Sequence, residues 1–160
     1  MISIRKLEKK DKKYFGELIR QDALNYKEYS RIGWSAKQIY NQFNKITNLS
    51  YGAFDKDLLI SFIFGDLINI EKKSEYEILL IYVSTHFRKK GLGTKLIKNI
   101  EKNTNLTKIH LEVSKNNLEG ISFYKKMGFK KLYTRKDYFK FQNKRVDAFL
   151  MSKIIKNEKK

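Results

Sequence analysis

Residues 88–94, Arg88-Lys89-Lys90-Gly91-Leu92-Gly93-Thr94, set three cations beside two glycines. Glycine leaves backbone N–H groups uncovered, and first-turn amides point outward at the positive end of a helix dipole. Such a loop offers donors to phosphate oxygens. By itself, a basic loop with two glycines reads equally well as a solvated turn. A second chemical group lies further on. Glu112 stands between Leu111 and Val113, so strand alternation turns its side chain away from the face those two occupy. It could take a proton there, or simply face solvent, which is what the residues alone favour. Glu77, one strand earlier, is a reserve base. Tyr124 follows Asn117 by seven residues and precedes Gly128-Phe129. Its hydroxyl could assist a leaving anion, or be satisfied within a core.

These residues need elements to hold them. Ile2 and Ile4 alternate with polar residues and predict a first strand. Asp11 can cap a helix running to about Gln21, with Phe15, Leu18 and Ile19 on one face. An aromatic loop, Tyr26 to Trp34, follows. Ser35 and Gln38 form an S-x-x-Q capping box, with Trp34 and Ile39 placed as a hydrophobic staple. Strands are expected at Tyr51–Phe54 and Leu58–Phe64, joined by a turn at Asp55-Lys56-Asp57. Glu77–Val83 is a strand entering the glycine loop, and Thr94–Asn103 a helix burying Leu96, Ile97 and Ile100. Lys108–Val113 is the next strand, Asn117 caps a helix from Leu118 to Met127, and Gly128 ends it. Lys131–Lys136 and Val146–Met151 close the sheet. The order β-α-α-β-β-β-α-β-α-β-β predicts an α+β fold, a mixed sheet with helices on both faces.

A chain of 160 residues fits one domain, 1–160, with a single core. No apolar run approaches the roughly 18 residues of a membrane span, and residues 1–13 lack a secretory apolar segment. With no cysteine there is no disulfide, thiolate metal site or cysteine nucleophile. A cytoplasmic protein is expected, with no membrane partner and no metal. Lys plus Arg less Asp plus Glu is 35 − 17 = +18. Only six of the cations are Arg, the residue that specific phosphate and base readers favour. The lysines run from Lys6 to Lys160, so direct nucleic-acid binding is not expected. A basic surface would still attract a polyanionic cofactor.

The two chemical segments together resemble the GCN5-related N-acetyltransferase (GNAT) family. Its acetyl-CoA signature is Arg or Gln, two residues, Gly, one residue, then Gly or Ala, met here by Arg88, Gly91 and Gly93. A second pattern, a strand, an Asn, then a helix carrying a Tyr shortly before Gly-Phe, falls on Asn117, Tyr124, Gly128 and Phe129. Within the family the chain looks most like the RimI type, the ribosomal-protein-alanine N-acetyltransferases. Leu111-Glu112-Val113, Arg135 with Tyr138-Phe139, Asp147-Ala148 and Trp34-Ser35 carry that likeness, strongest from about residue 75 onward. Lys89 stands where glycine is common, and Gly120 where alanine is common.

The resemblance implies a mostly antiparallel twisted sheet of about seven strands flanked by about four helices, with acetyl-CoA as co-substrate. It implies that Lys89, Lys90, Gly91, Leu92, Gly93 and Thr94, beside Arg88, cradle the pyrophosphate. It also implies that the Val83 backbone meets the pantetheine arm, that Asn117 touches the cofactor, that Glu112 is the base and that Tyr124 is the acid. The acceptor it implies is a protein N-terminus, the N-terminal alanine of a small-subunit ribosomal protein. An α-amine, with a pKa of about 8 against about 10.4 for lysine, needs roughly 3.3 kcal/mol less deprotonation work. Two other readings stay open: the same fold acting on a small amine or a lysine side chain, and a basic binding module without catalysis. Trp34, Tyr133, Tyr138 and Phe139 could line an acceptor groove or serve packing. His86 and His110 lack metal-ligand spacing and are expected to carry no chemistry.

Overall fold

The computed structural model describes residues 1–26, 31–141 and 143–156. Its strands are β1 (Ile2–Lys6), β2 (Tyr51–Asp55), β3 (Leu58–Ile70), β4 (Lys73–Val83), β5 (Leu106–Ser114), β6 (Lys130–Phe141) and β7 (Lys144–Ile154). Its helices are α1 (Lys13–Asn25), α2 (Ala36–Asn44), α3 (Leu92–Glu101) and α4 (Leu118–Lys126), with 3-10 turns at Lys9–Lys12 and Thr85–Phe87. The seven strands lie in the order β1-β2-β3-β4-β5-β7-β6. β4 and β5 pair in parallel, whereas β1–β2, β2–β3, β5–β7 and β6–β7 pair antiparallel. The α+β class and the element order are those expected from sequence. Strands β3, β4, β6 and β7 are longer than their apolar runs suggested, because hairpin pairing carries them into polar residues.

The chain divides into two compact units, residues 1–67 with 80–102, and residues 68–79 with 103–160. In the first, α1 and α2 bury Phe15, Leu18, Ile39 and Phe43 against Phe62 and Phe64 of β3 and Tyr82 of β4. Phe15 meets Phe62 edge-on at 5.0 Å, and Trp34 lies 5.7 Å from Phe64. Edge-to-face and tilted pairs of this kind add to area burial. Trp34 therefore packs on a core. The capping box before α2 is present, Ser35 Oγ accepting from the Gln38 amide at 3.2 Å and Gln38 Oε1 from the Ser35 amide at 2.8 Å. Part of the expected aromatic loop, residues 27–30, lies outside the described residues.

Asp11 is not the cap of α1. It lies inside the 3-10 turn Lys9–Lys12, 1% exposed, where it accepts two bonds from Arg5 at 2.8 and 2.9 Å and one from the Glu8 amide at 2.8 Å. Those bonds, led by Arg5, hold its carboxyl below the usual range. The chain thus enters α1 through an ion pair to β1, and α1 itself runs on to Asn25.

In the second unit, alternation on β4 and β5 buries Tyr76 and Ile78 with Ile109, Leu111 and Val113. Met151 of β7 pairs with Leu111 and is fully buried. The intervening residues, Glu75, Glu77, His110 and Glu112, share the opposite, half-covered face. Asn117 caps α4, its Oδ1 accepting from the Gly120 amide at 2.9 Å. A Cβ at Gly120 would lie 2.6 Å from the Asn117 amide nitrogen, which explains glycine at this position. Gly128, with φ +90, turns the chain out of α4 so that the Phe129 amide bonds the Tyr124 carbonyl at 3.0 Å.

Candidate active site

The glycine loop begins at the end of β4. After the turn Thr85–Phe87, Arg88 sends its Nε back to the Val83 carbonyl at 3.0 Å. Arg88 therefore ties the loop to the strand, and the Val83 carbonyl is already engaged. Lys89 has φ +57 and Gly91 φ +75, both left-handed. Gly91 is the N-cap of α3, and no side chain there accepts from the first-turn amides. Those amides belong to Leu92, Gly93 and Thr94. A Cβ built on Gly91 would meet no protein atom within 4 Å. The space beside it is thus open, and the donors around it fit a phosphate group. Leu92 anchors the turn, buried with Ala53 and Ile60. Lys90 lies over the Phe87 ring at 5.2 Å.

The second unit brings the other chemical groups together on the β4–β5 face. Glu77 and His110 are register partners, and Glu112 lies two residues beyond His110 on the same face. The Glu112 carboxylate is paired with Arg135 of β6, and its side chain is only 13% exposed. The Arg135 guanidinium stacks on the Tyr138 ring at 4.3 Å. The Tyr138 hydroxyl is pushed above the phenol range, first by hydrogen bonding to Glu112, then by burial and the Glu112 charge, with a further contribution from Glu77. Glu77, Glu112, Arg135 and Tyr138 therefore form one electrostatic cluster.

Glu112 is thus a bonded carboxylate rather than the solvent-facing one its flanking residues suggested. Glu75 pairs with Lys108 at 3.6 Å, and Asp147 with Lys115 at 3.3 Å. Among the described residues, Glu77 makes no ion pair. His110, which the sequence offered no reason to select, sits inside this face with Nδ1 buried and unbonded. Only the β4–β5 register could have shown that.

Tyr124 is buried on α4, its ring 5.3 Å from Phe123 and 5.6 Å from Phe129. Burial raises its pKa, so the hydroxyl stays protonated. No other described residue bonds that hydroxyl. Asn117 spends its carbonyl oxygen on the cap, leaving its amide NH2 for any ligand contact. Tyr133 and Tyr138 are 52% and 43% exposed on β6, as groove-lining residues would be.

Residues 16–129 match the sequence pattern of the Acetyltransferase (GNAT) family. The chain belongs to that family. It is 29% identical over 108 residues to the probable N-acetyltransferase san of Drosophila melanogaster, covering 65% of this chain and 58% of that protein's length. It is 23% identical over 124 residues to N-alpha-acetyltransferase 50 of Danio rerio, covering 75% of this chain and 73% of that one. The fold resembles the ribosomal-protein-S18-alanine N-acetyltransferase from Escherichia coli, with a TM-score of 0.77 at 23% identity over 97% of this chain and 94% of that one. It also resembles NAA60 of Arabidopsis thaliana, solved with a bisubstrate analogue, with a TM-score of 0.76 at 18% identity over 99% and 100%. These two likenesses are of fold.

Proposed function

We propose that the chain transfers the acetyl group of acetyl-CoA to the N-terminal α-amine of a protein. The observation that carries this reading is the Glu77–Glu112–Tyr138 cluster on the β4–β5 face of a GNAT chain. Acetyl-CoA supplies a thioester carbonyl open to attack by a neutral amine. The amides of Leu92, Gly93 and Thr94, with Lys89 and Lys90, would hold its pyrophosphate. An α-amine with a pKa of about 8 is mostly ammonium at neutral pH. Glu77, which makes no ion pair among the described residues, attracts that ammonium. Glu112 takes the proton, directly or through water, once Arg135 gives way. Tyr124, kept protonated by burial, donates a hydrogen bond to the leaving sulfur. The ribosomal-protein acceptor rests on the RimI likeness alone, and the +18 charge opposes encounter with a basic protein.

The test is a steady-state assay with N-terminal peptides over pH 6.5 to 9. Glu112→Gln should be slow at neutral pH and recover partly as the free α-amine becomes neutral. Glu77→Gln should raise KM more than it lowers kcat. If both variants keep wild-type kcat/KM across that range, neither carboxylate serves the amine and solvent is the base.

A further inference from the structure

The far half of the β6–β7 hairpin is a cationic rail that starts at the acceptor cluster. Lys136, Lys140, Lys144 and Arg145 are all exposed there. Lys140 and Arg145 are register partners, so two of the cations stand side by side across the hairpin. The two carboxylates of the region offset it only in part. Asp147 pairs with Lys115, accepts from the Asp137 amide and also feels the charge of Lys136, so among the described residues two carboxylates face four cations of the rail and Lys115. Among the described residues, Lys136, Lys140 and Lys144 make no ion pair. Arg145 donates to the Asp137 carbonyl, at 3.3 Å, and among the described residues makes no ion pair.

The rail is continuous with the site. Arg135 and Tyr138, which contact Glu112, flank Lys136, the first cation of the rail, on the same strand. β6 bulges between Arg135 and Phe139, so the Lys140–Arg145 pair lies three residues of β7 beyond the Arg135–Ala148 pair, about 10 Å at roughly 3.3 Å per residue. An extended acceptor chain leaving the Glu112 cluster in that direction would cover the same span in about three residues, setting its next few side chains against Lys136, Lys140 and Arg145. Lysines on an outer strand also discourage edge pairing. That role, however, would not call for Tyr133 and Tyr138 to be exposed on the same strand.

We infer that the enzyme selects N-termini carrying acidic residues at about their second to fifth positions, read by the β6–β7 hairpin. The inference rests on the reading of a protein N-terminus as acceptor and names its class. It also removes the charge conflict, because an acidic segment is attracted by a +18 protein.

The experiment uses the full chain and three peptide series that share one N-terminal residue, with Asp/Glu, Gln or Lys at positions 2 to 5. The acidic series should exceed the neutral one by about tenfold in kcat/KM at about 50 mM salt, and the basic series should fall below it. The spread should shrink at about 500 mM. The double variant Lys136→Glu with Lys140→Glu should reverse the order. The same charge change at Lys9 and Lys10 should leave the order intact, because net charge alone does not carry the selection. An unchanged order in the hairpin variant, or reversal by the Lys9/Lys10 variant, overturns the inference while leaving the N-terminal reading standing. If no peptide in any series is acetylated, both fall together.

Discussion

In the loop before α3 the backbone does the electrostatic work, whereas on the β4–β5 face side chains do it. The loop presents uncapped amides beside Gly91, with no side chain committed to them. On the β4–β5 face, Glu75 and Glu112 are held by cations and Tyr138 leans on Glu112, while Glu77 makes no ion pair among the described residues. Backbone donors need no reorganisation when a ligand arrives. Paired side chains must first exchange partners. The first region is therefore built for a fixed ligand, and the second for one that can vary.

The largest effect should come from closing the open space in the loop. Gly91→Val puts a β-branched residue at φ +75, in the left-handed region that costs L-residues about 1–2 kcal/mol, and points it where phosphate would sit. Acetyl-CoA affinity should fall by about tenfold or more, read by calorimetry on protein whose circular dichroism shows it folded. Wild-type affinity would mean that the amides are not the cradle.

Next in size is Tyr124→Phe, expected to lower kcat by about tenfold with little change in cofactor affinity. Because burial raises this phenol's pKa above its ordinary value near 10, it should produce no descending limb in the wild-type rate profile up to about pH 9. A falling limb there that disappears in the phenylalanine variant would show the opposite sign of shift.

Asp11→Asn probes neither region and should cost about 2 kcal/mol of stability, from charge-assisted bonds lost at a buried carboxylate. The folded pKa of Asp11 is depressed, so its contribution is present above about pH 4 and is lost as pH falls through the depressed value. Denaturant unfolding should show the wild-type and variant curves converging in acid. A gap that persists below about pH 2 would place the loss in packing.

The two regions also differ in how far the sequence disclosed them. The Gly91 and Gly93 spacing, the Ser35–Gln38 box and the Leu96-Ile97-Ile100 stripe are local patterns, each settled within a turn or two of helix. They were legible, as was the element order. The Glu112–Arg135 pair joins residues 23 apart across two strands, and its partners meet only through the β5–β7–β6 pairing. No window of sequence contains that information. Asp11 misled for a related reason: its best partner, Arg5, lies on a strand rather than in the helix it was expected to cap.

Lys89 adopts φ +57, a conformation that glycine would occupy without strain. The loop keeps a charge there at the expense of folding free energy, so part of the protein's resting stability is given up to a site that an anion can use. A ligand returns it by mass action: at one hundred times its dissociation constant, a bound cofactor adds about 2.7 kcal/mol to the folded state. Melting temperature should therefore respond to coenzyme concentration more steeply than to any single surface substitution.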